Sequence, residues 1–202
     1  MSLTFDSVTH TYLLDGEKVP SVTEILKGAG FIDTTWYKQS GTNRGTAVHE
    51  ATEFIDRGDM AQEDFESEDW YGYVQAYAAF KAETGFEPVY IEEQLAHPQW
   101  KYAGTLDRIG RISGEMVLLD IKTGSAANWH GIQLAAYDQM VGGLLTGPLK
   151  NRRVLRLRKN GRYSLDKKGK LRGRETPFED PIWDDIWLAL AKSNFYCRYF
   201  KK

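Results

Sequence analysis

The segment Met116-Val117-Leu118-Leu119-Asp120-Ile121-Lys122-Thr123-Gly124 constrains this chain more than any other. Its run of branched apolar residues predicts a central, buried strand. Yet the strand ends in an acid and a lysine two positions apart, and side chains at i and i+2 share a strand face, so Asp120 and Lys122 project together. Burying such charges is costly unless they pair with each other or with a metal. A structural ion pair and a reactive site both answer that demand.

The apolar period around this strand changes along the chain. Leu3 to Pro20 alternates about a turn at Asp15-Gly16 and predicts a hairpin. Ser21, with Glu24 three residues on, predicts an N-capped short helix that ends by Gly28 to Gly30. Arg44 to Arg57 predicts a helix with Val48, Ala51, Phe54 and Ile55 inward, His49 on its length and Gly58 at its end. Glu68 to Glu83 is a second, with Tyr73, Tyr77 and Phe80 as core and Gly85 as its stop. From Pro88 the period becomes strand-like over Val89–His97, Tyr102–Ile112 and Glu115–Lys122, an antiparallel meander with short turns.

A helix is expected from Asn128 to Leu145, closed by Gly147-Pro148. Arg153–Lys159 and Arg162–Leu165 flank Asn160-Gly161, a hairpin signal, with Leu155 and Leu157 inward and Arg156 and Arg158 outward. Asp180-Pro181 opens a last helix that packs Trp183, Ile186, Trp187 and Leu190. The expected class is α/β: a single domain over residues 1–202, with a central mixed sheet containing an antiparallel meander and flanked by helices.

Asp107 sharpens the chemistry. It sits in Gly104-Thr105-Leu106-Asp107 on the preceding strand, and the return through Ser113-Gly114 brings it beside Asp120. Two close carboxylates repel unless a cation lies between them. Magnesium or manganese suits such a pair, preferring oxygen ligands and keeping waters. Lys122 can then orient or help deprotonate an attacking water and offset charge on a phosphate. Cys197 is the sole cysteine, which excludes an internal disulfide and any cysteine-ligated zinc or iron–sulfur site within one chain. With no basic-then-apolar leader and no run of about 18 apolar residues, the expectation is a cytoplasmic protein without a membrane partner.

The formal net charge of −2 conceals an asymmetry: Lys150 to Arg174 carries 12 Lys/Arg against Asp166 alone, a local +11 that leaves −13 elsewhere. A one-sign block of that size predicts a polyanionic partner, and Arg156, Arg158 and Arg162 are its candidate phosphate contacts.

Taken in order, these residues resemble the PD-(D/E)XK nuclease superfamily, in particular its RecB-like exonuclease branch of phage type. Arg44-Gly45-Thr46-Ala47-Val48-His49 resembles the branch's histidine motif, Glu92 with Gly104-Thr105-Leu106-Asp107 its glutamate and first aspartate, and Asp120-Ile121-Lys122 its signature acid and lysine. Gln133-Leu134-Ala135-Ala136-Tyr137 matches its QxxxY motif. The resemblance implies a restriction-endonuclease-like core in which His49, Asp107, Asp120 and the Ile121 carbonyl hold the metal. Lys122 is then the catalytic lysine and Glu92 an accessory acid, for which Glu93 competes by a one-residue slip. It places Gln133, Tyr137 and Arg44 near the active site or the nucleic-acid backbone. It further implies a metal-dependent nuclease acting on DNA ends or single strands in phage or bacterial recombination, repair or replication. The four-cysteine iron–sulfur cluster that some relatives of this branch carry has no counterpart here.

Two other readings compete. A DNA-binding module that keeps the fold without turnover would also explain the basic block. His49-Glu50-Ala51-Thr52-Glu53 superficially resembles a zinc-hydrolase helix, but a glutamate replaces the second histidine. His10, His97 and His130 show no paired ligand spacing.

Overall fold

Short-range chemistry sets most of the element boundaries. The computed structural model describes residues 1–33, 35, 39–142, 144–145, 149 and 151–200. The N-terminal alternation makes three antiparallel strands, β1 (Leu3–Asp6), β2 (Thr11–Leu14) and β3 (Glu17–Val19), rather than one hairpin. The extra turn forms because the Asp6 carboxylate accepts from the Val8 and Thr9 backbone N–H groups, an Asx-type closure. Helix α1 (Val22–Gly28) starts at the expected capping box: Ser21 Oγ accepts from Glu24 N–H, and the Glu24 carboxylate accepts from Ser21 N–H.

Helix α2 (Gln39–Arg57) begins a turn earlier than Arg44 and buries Val48, Ala51 and Thr52. Phe54, expected inward, is 42% exposed. Thr52 and Asp56 take the inner positions instead, because they meet a buried cation described below. In α3 (Tyr71–Thr84) the aromatics Tyr73, Tyr77 and Phe80 are core, and Gly85 closes the helix in the left-handed conformation.

The central sheet runs β4-β5-β6-β7-β8. Strands β4 (Glu87–His97), β5 (Tyr102–Ile112) and β6 (Glu115–Lys122) form the expected meander. Strand β7 (Arg152–Leu157) pairs parallel to β6, and β8 (Tyr163–Asp166) antiparallel to β7. A parallel pair needs a crossover, which α4 (His130–Val141) supplies. That helix stops short of Leu145, and its expected Gly147-Pro148 stop lies outside the described residues.

Strands β6 and β7 are covered on both faces, as the apolar run in β6 demanded. On one side Leu118 and Val154 pack with α4 and with Trp183 and Trp187 of α5 (Pro181–Tyr199), whose N-cap is Asp180 as expected. On the other, Val117, Leu119, Ile121, Leu155 and Leu157 pack with Val48, Tyr77 and Phe80. Each fully buried aliphatic chain contributes roughly 1.5–3 kcal/mol, so β6 is pinned at its apolar positions. Its polar C-terminal end is thereby held in place.

The basic block is partly internal, and acids neutralise several of its charges. Buried Arg152 pairs with Asp138 and Asp184, Arg153 with Glu179, and Lys168 with Glu175. Arg156, expected outward, is half-buried against Asp166. A second ribbon, β9 (Lys168–Leu171) and β10 (Arg174–Pro177), was not expected. It turns on Arg172-Gly173, both with positive φ, the backbone that suits the twist of a two-residue hairpin.

Candidate metal centre

The polar end of β6 meets α2, β4 and β5 at one point. His49, on α2, lies with Nε2 3.0 Å from the Ile121 carbonyl oxygen. With the Nε2–H tautomer donating to that carbonyl, Nδ1 is an acceptor, 3.5 Å from Asp107 Oδ1 and 3.8 Å from Glu92 Oε1. One atom each from His49, Glu92 and Asp107 lie within 4.8 Å of one another. Asp107 is anchored from behind, its Oδ2 accepting from the Ile121 backbone N–H at 2.5 Å.

Asp120 and Lys122 share a face as the spacing required, Lys122 Nζ donating to Asp120 Oδ1 at 2.7 Å. The other oxygen, Asp120 Oδ2, is buried and has no hydrogen-bond partner. A buried carboxylate oxygen left unpaired is costly; Asp120 is close enough to Asp107 for the two charges to interact, but it is not one of the three residues whose ligand atoms gather within 4.8 Å. Burial holds the Asp120 carboxyl above the ordinary carboxylate range; Lys122 pulls it down and Asp107 pushes it further up. For His49, burial disfavours the charged ring, but Asp107 and Glu92 together outweigh it and raise the imidazole above its usual value. The pocket thus draws positive charge to the His49 ring. Hydroxyl-free oxygen donors with one imidazole suit a hard or borderline divalent ion.

Arg108 is the residue that sequence reasoning missed. It is fully buried on β5, donating to Asp56 Oδ2 at 2.7 Å, to Glu92 Oε1 at 2.6 Å, to the Asp107 carbonyl at 2.6 Å and to Thr52 Oγ1 at 3.1 Å. Tyr77 and Lys81 of α3 complete the cage around Asp56. Thr52 in turn donates to the His49 carbonyl at 2.9 Å. One guanidinium therefore ties α2, β4 and β5 together directly behind the site. Its signal in the sequence was an arginine directly after Asp107, between the buried positions Leu106 and Ile109 of β5.

Glu92 carries a further mark, a φ of 49° in mid-strand. Left-handed backbone at a non-glycine residue costs roughly 1–3 kcal/mol and persists only where surroundings over-determine it. The Arg108 pair and the His49 contact do so here. Between the competing acids, Glu92 is the one brought to His49 and into the cleft lined by His49 and Lys122; Glu93 stands opposite Leu106 in the ladder. Counting charges, Glu92, Asp107 and Asp120 face Arg108 and Lys122, so a neutral His49 leaves one surplus negative charge in a largely buried pocket. That surplus is what a cation would offset.

Gln133 and Tyr137 share a face of α4, as their spacing required, but both are only 6% exposed. Gln133 Nε2 donates to Tyr137 Oη at 3.3 Å, and Tyr137 is pushed up by burial first and then by Asp107 and Asp120. They lie under the acids rather than on a surface open to a partner. Of the surface candidates, Arg44 stacks over Tyr73 at 5.2 Å, Arg158 and Arg162 are exposed, and Arg156 is taken up by Asp166.

No family model matches the sequence, and a search of curated proteins returns no match. Among solved structures, the chain is similar to a candidate exonuclease from Eubacterium rectale at 11% identity. The match covers 89% of this chain and 73% of that one, with a TM-score of 0.48. Among the described residues no helix is long and apolar enough to cross a membrane.

Proposed function

We propose that this chain is a metal-dependent nuclease that hydrolyses phosphodiester bonds in DNA. The observation that carries the reading is the convergence of one ligand atom each from His49, Glu92 and Asp107 within 4.8 Å, together with the unpartnered buried oxygen of Asp120. His49, Asp107 and Asp120, with the Ile121 carbonyl, would hold magnesium or manganese, and Glu92 would complete or support the set. When bound, such an ion acidifies a ligated water and polarises a phosphoryl oxygen.

The chain's own groups supply the rest. Arg108 holds Glu92 in place, and the Ile121 N–H keeps Asp107 aimed at the pocket. Lys122, 19% exposed at the mouth, is placed to orient the attacking water and to offset charge that builds on the phosphorus oxygens. The resemblance over His49 to Tyr137 supplies the finer part of the proposal: an exonuclease of the RecB-like branch, working on linear ends or single strands in phage or bacterial DNA metabolism, in the cytoplasm.

The test is incubation of linear DNA with magnesium or manganese, with and without chelator, beside Asp107→Ala. Hydrolysis that needs the ion and is lost in the variant is expected. Hydrolysis that survives chelation, or an Asp107→Ala protein with parental metal affinity and activity, refutes the reading.

A further inference from the structure

Three clefts join end to end along the loop that leads from β6 to α4. The first holds the candidate metal centre, lined by His49, Glu92 and Lys122, and it shares Thr123 and Gly124 with the second. The second is lined by Arg44, Arg158 and Lys159, and it shares Ala126 and Arg156 with the third. The third runs beside β9, lined by Lys167, Lys168 and Lys170. Shared walls in chain order, from Thr123 to Ala126, make these one groove. It is acidic where Glu50, Glu53 and Glu92 line the first cleft and basic from there on.

Two features set the basic part apart from an ordinary solvated surface. Among the described residues, Arg44, Arg158, Lys159, Lys167 and Lys170 line the groove without an ion-pair partner, whereas Arg152, Arg153, Arg156 and Lys168 from the same block are neutralised by acids. Arg44, moreover, is held against Tyr73 with its Nε buried and unbonded, a cost recovered from no protein partner.

The far wall is firmly built. A Cβ on Gly169 would lie 2.8 Å from Phe178 Cε1, so β9 packs directly on that ring, and Leu171 packs on the main core. The Phe178 N–H donates to the Lys167 carbonyl at 3.0 Å. Strand alternation then leaves Lys168 and Lys170 exposed on the opposite side. Cations from α2, the β7–β8 turn and the segment entering β9 thus line one groove, which suits a partner that carries a chain of negative charges.

We propose that this groove is the track for the phosphate backbone of the substrate strand, with the β9–β10 ribbon as its anchor farthest from the metal centre. The proposal rests on the nuclease reading of that centre and adds the path and the distal contact. Five unpaired cations should give a salt slope of about 3.5 on a single strand or 4.5 on duplex, at about 0.7 or 0.9 for each phosphate neutralised.

The test measures binding of fluorescein-labelled oligodeoxynucleotides of graded length to the parent and to Lys167→Ala/Lys170→Ala, in chelator so that nothing is cleaved. Both lysines are exposed, and circular dichroism checks the fold. On long strands the double variant should lose about tenfold in affinity near physiological salt, with a slope lower by about 1.4. On strands too short to reach the ribbon it should match the parent. Parental affinity and slope at every length overturn the track while leaving the metal centre standing; equal losses on the shortest and longest strands also overturn it, since they mark a diffuse charge effect. A parent that binds no oligonucleotide at any length overturns both the track and the nuclease reading.

Discussion

Replacing Arg108 by lysine tests whether the metal centre is held from behind. A lysine keeps the charge but not the planar fork, so it cannot reach Asp56, Glu92, the Asp107 carbonyl and Thr52 together as arginine does. Breaking a buried pair by removing a partner costs about 3–5 kcal/mol. The lower end applies, because Asp56 keeps Lys81 and Tyr77 and a lysine retains one contact. Release of Glu92 from its left-handed backbone returns part of that cost. A net loss of about 2–3 kcal/mol is therefore expected by urea unfolding, a fall in Tm of roughly 4–12 °C for a chain of this size.

The positioning role has its own readout. Losing the partner that orients a ligand typically weakens metal affinity by about 10–100-fold, so manganese titration of folded Arg108→Lys should show that shift while binding remains sensitive to Asp107→Ala. Arg108→Gln/Asp56→Asn, which removes the buried pair together, should regain stability but not metal affinity. A destabilised Arg108→Lys protein with parental manganese affinity would refute the reasoning and leave Arg108 as a structural strut.

Lys122→Ala should bind manganese and oligonucleotide near parental levels yet cleave about 10²-fold more slowly, since the lysine's contribution is made as charge develops; single-turnover cleavage within a few-fold of the parent would contradict this. His130 gives a pH prediction: burial first, then repulsion from Lys122 and Arg156, pushes its pKa down to about 3. A folded value below the unfolded one near 6.5 means that its neutral form supports the fold fully above pH 6.5. That support is lost as the pH falls toward 3, at up to about 1.4 kcal/mol per unit. His130→Asn should flatten stability across pH 6 to 4 relative to the parent; parallel pH profiles would dismiss the histidine as the cause.

What the sequence determined by itself was what neighbouring residues decide. Capping at Ser21 and Asp180, the stop at Gly85, the β4–β6 meander and the shared face of Asp120 and Lys122 all follow from interactions a few residues apart. Tertiary structure decided the rest, because those outcomes hang on partners far along the chain. Arg152 looked like a surface cation until Asp138 and Asp184, 14 and 32 residues away, closed around it. Gln133 and Tyr137 had the spacing of a shared helical face, but only the crossover between β6 and β7, which packs α4 against the sheet, decides that this face is buried within electrostatic reach of Asp107 and Asp120. Arg108 stands next to Asp107 between buried apolar positions of β5, yet its task depends on Asp56 and Glu92 arriving from α2 and β4. A buried charge is tolerable only where distant chain segments bring its counter-charges, and only the folded arrangement specifies which segments those are.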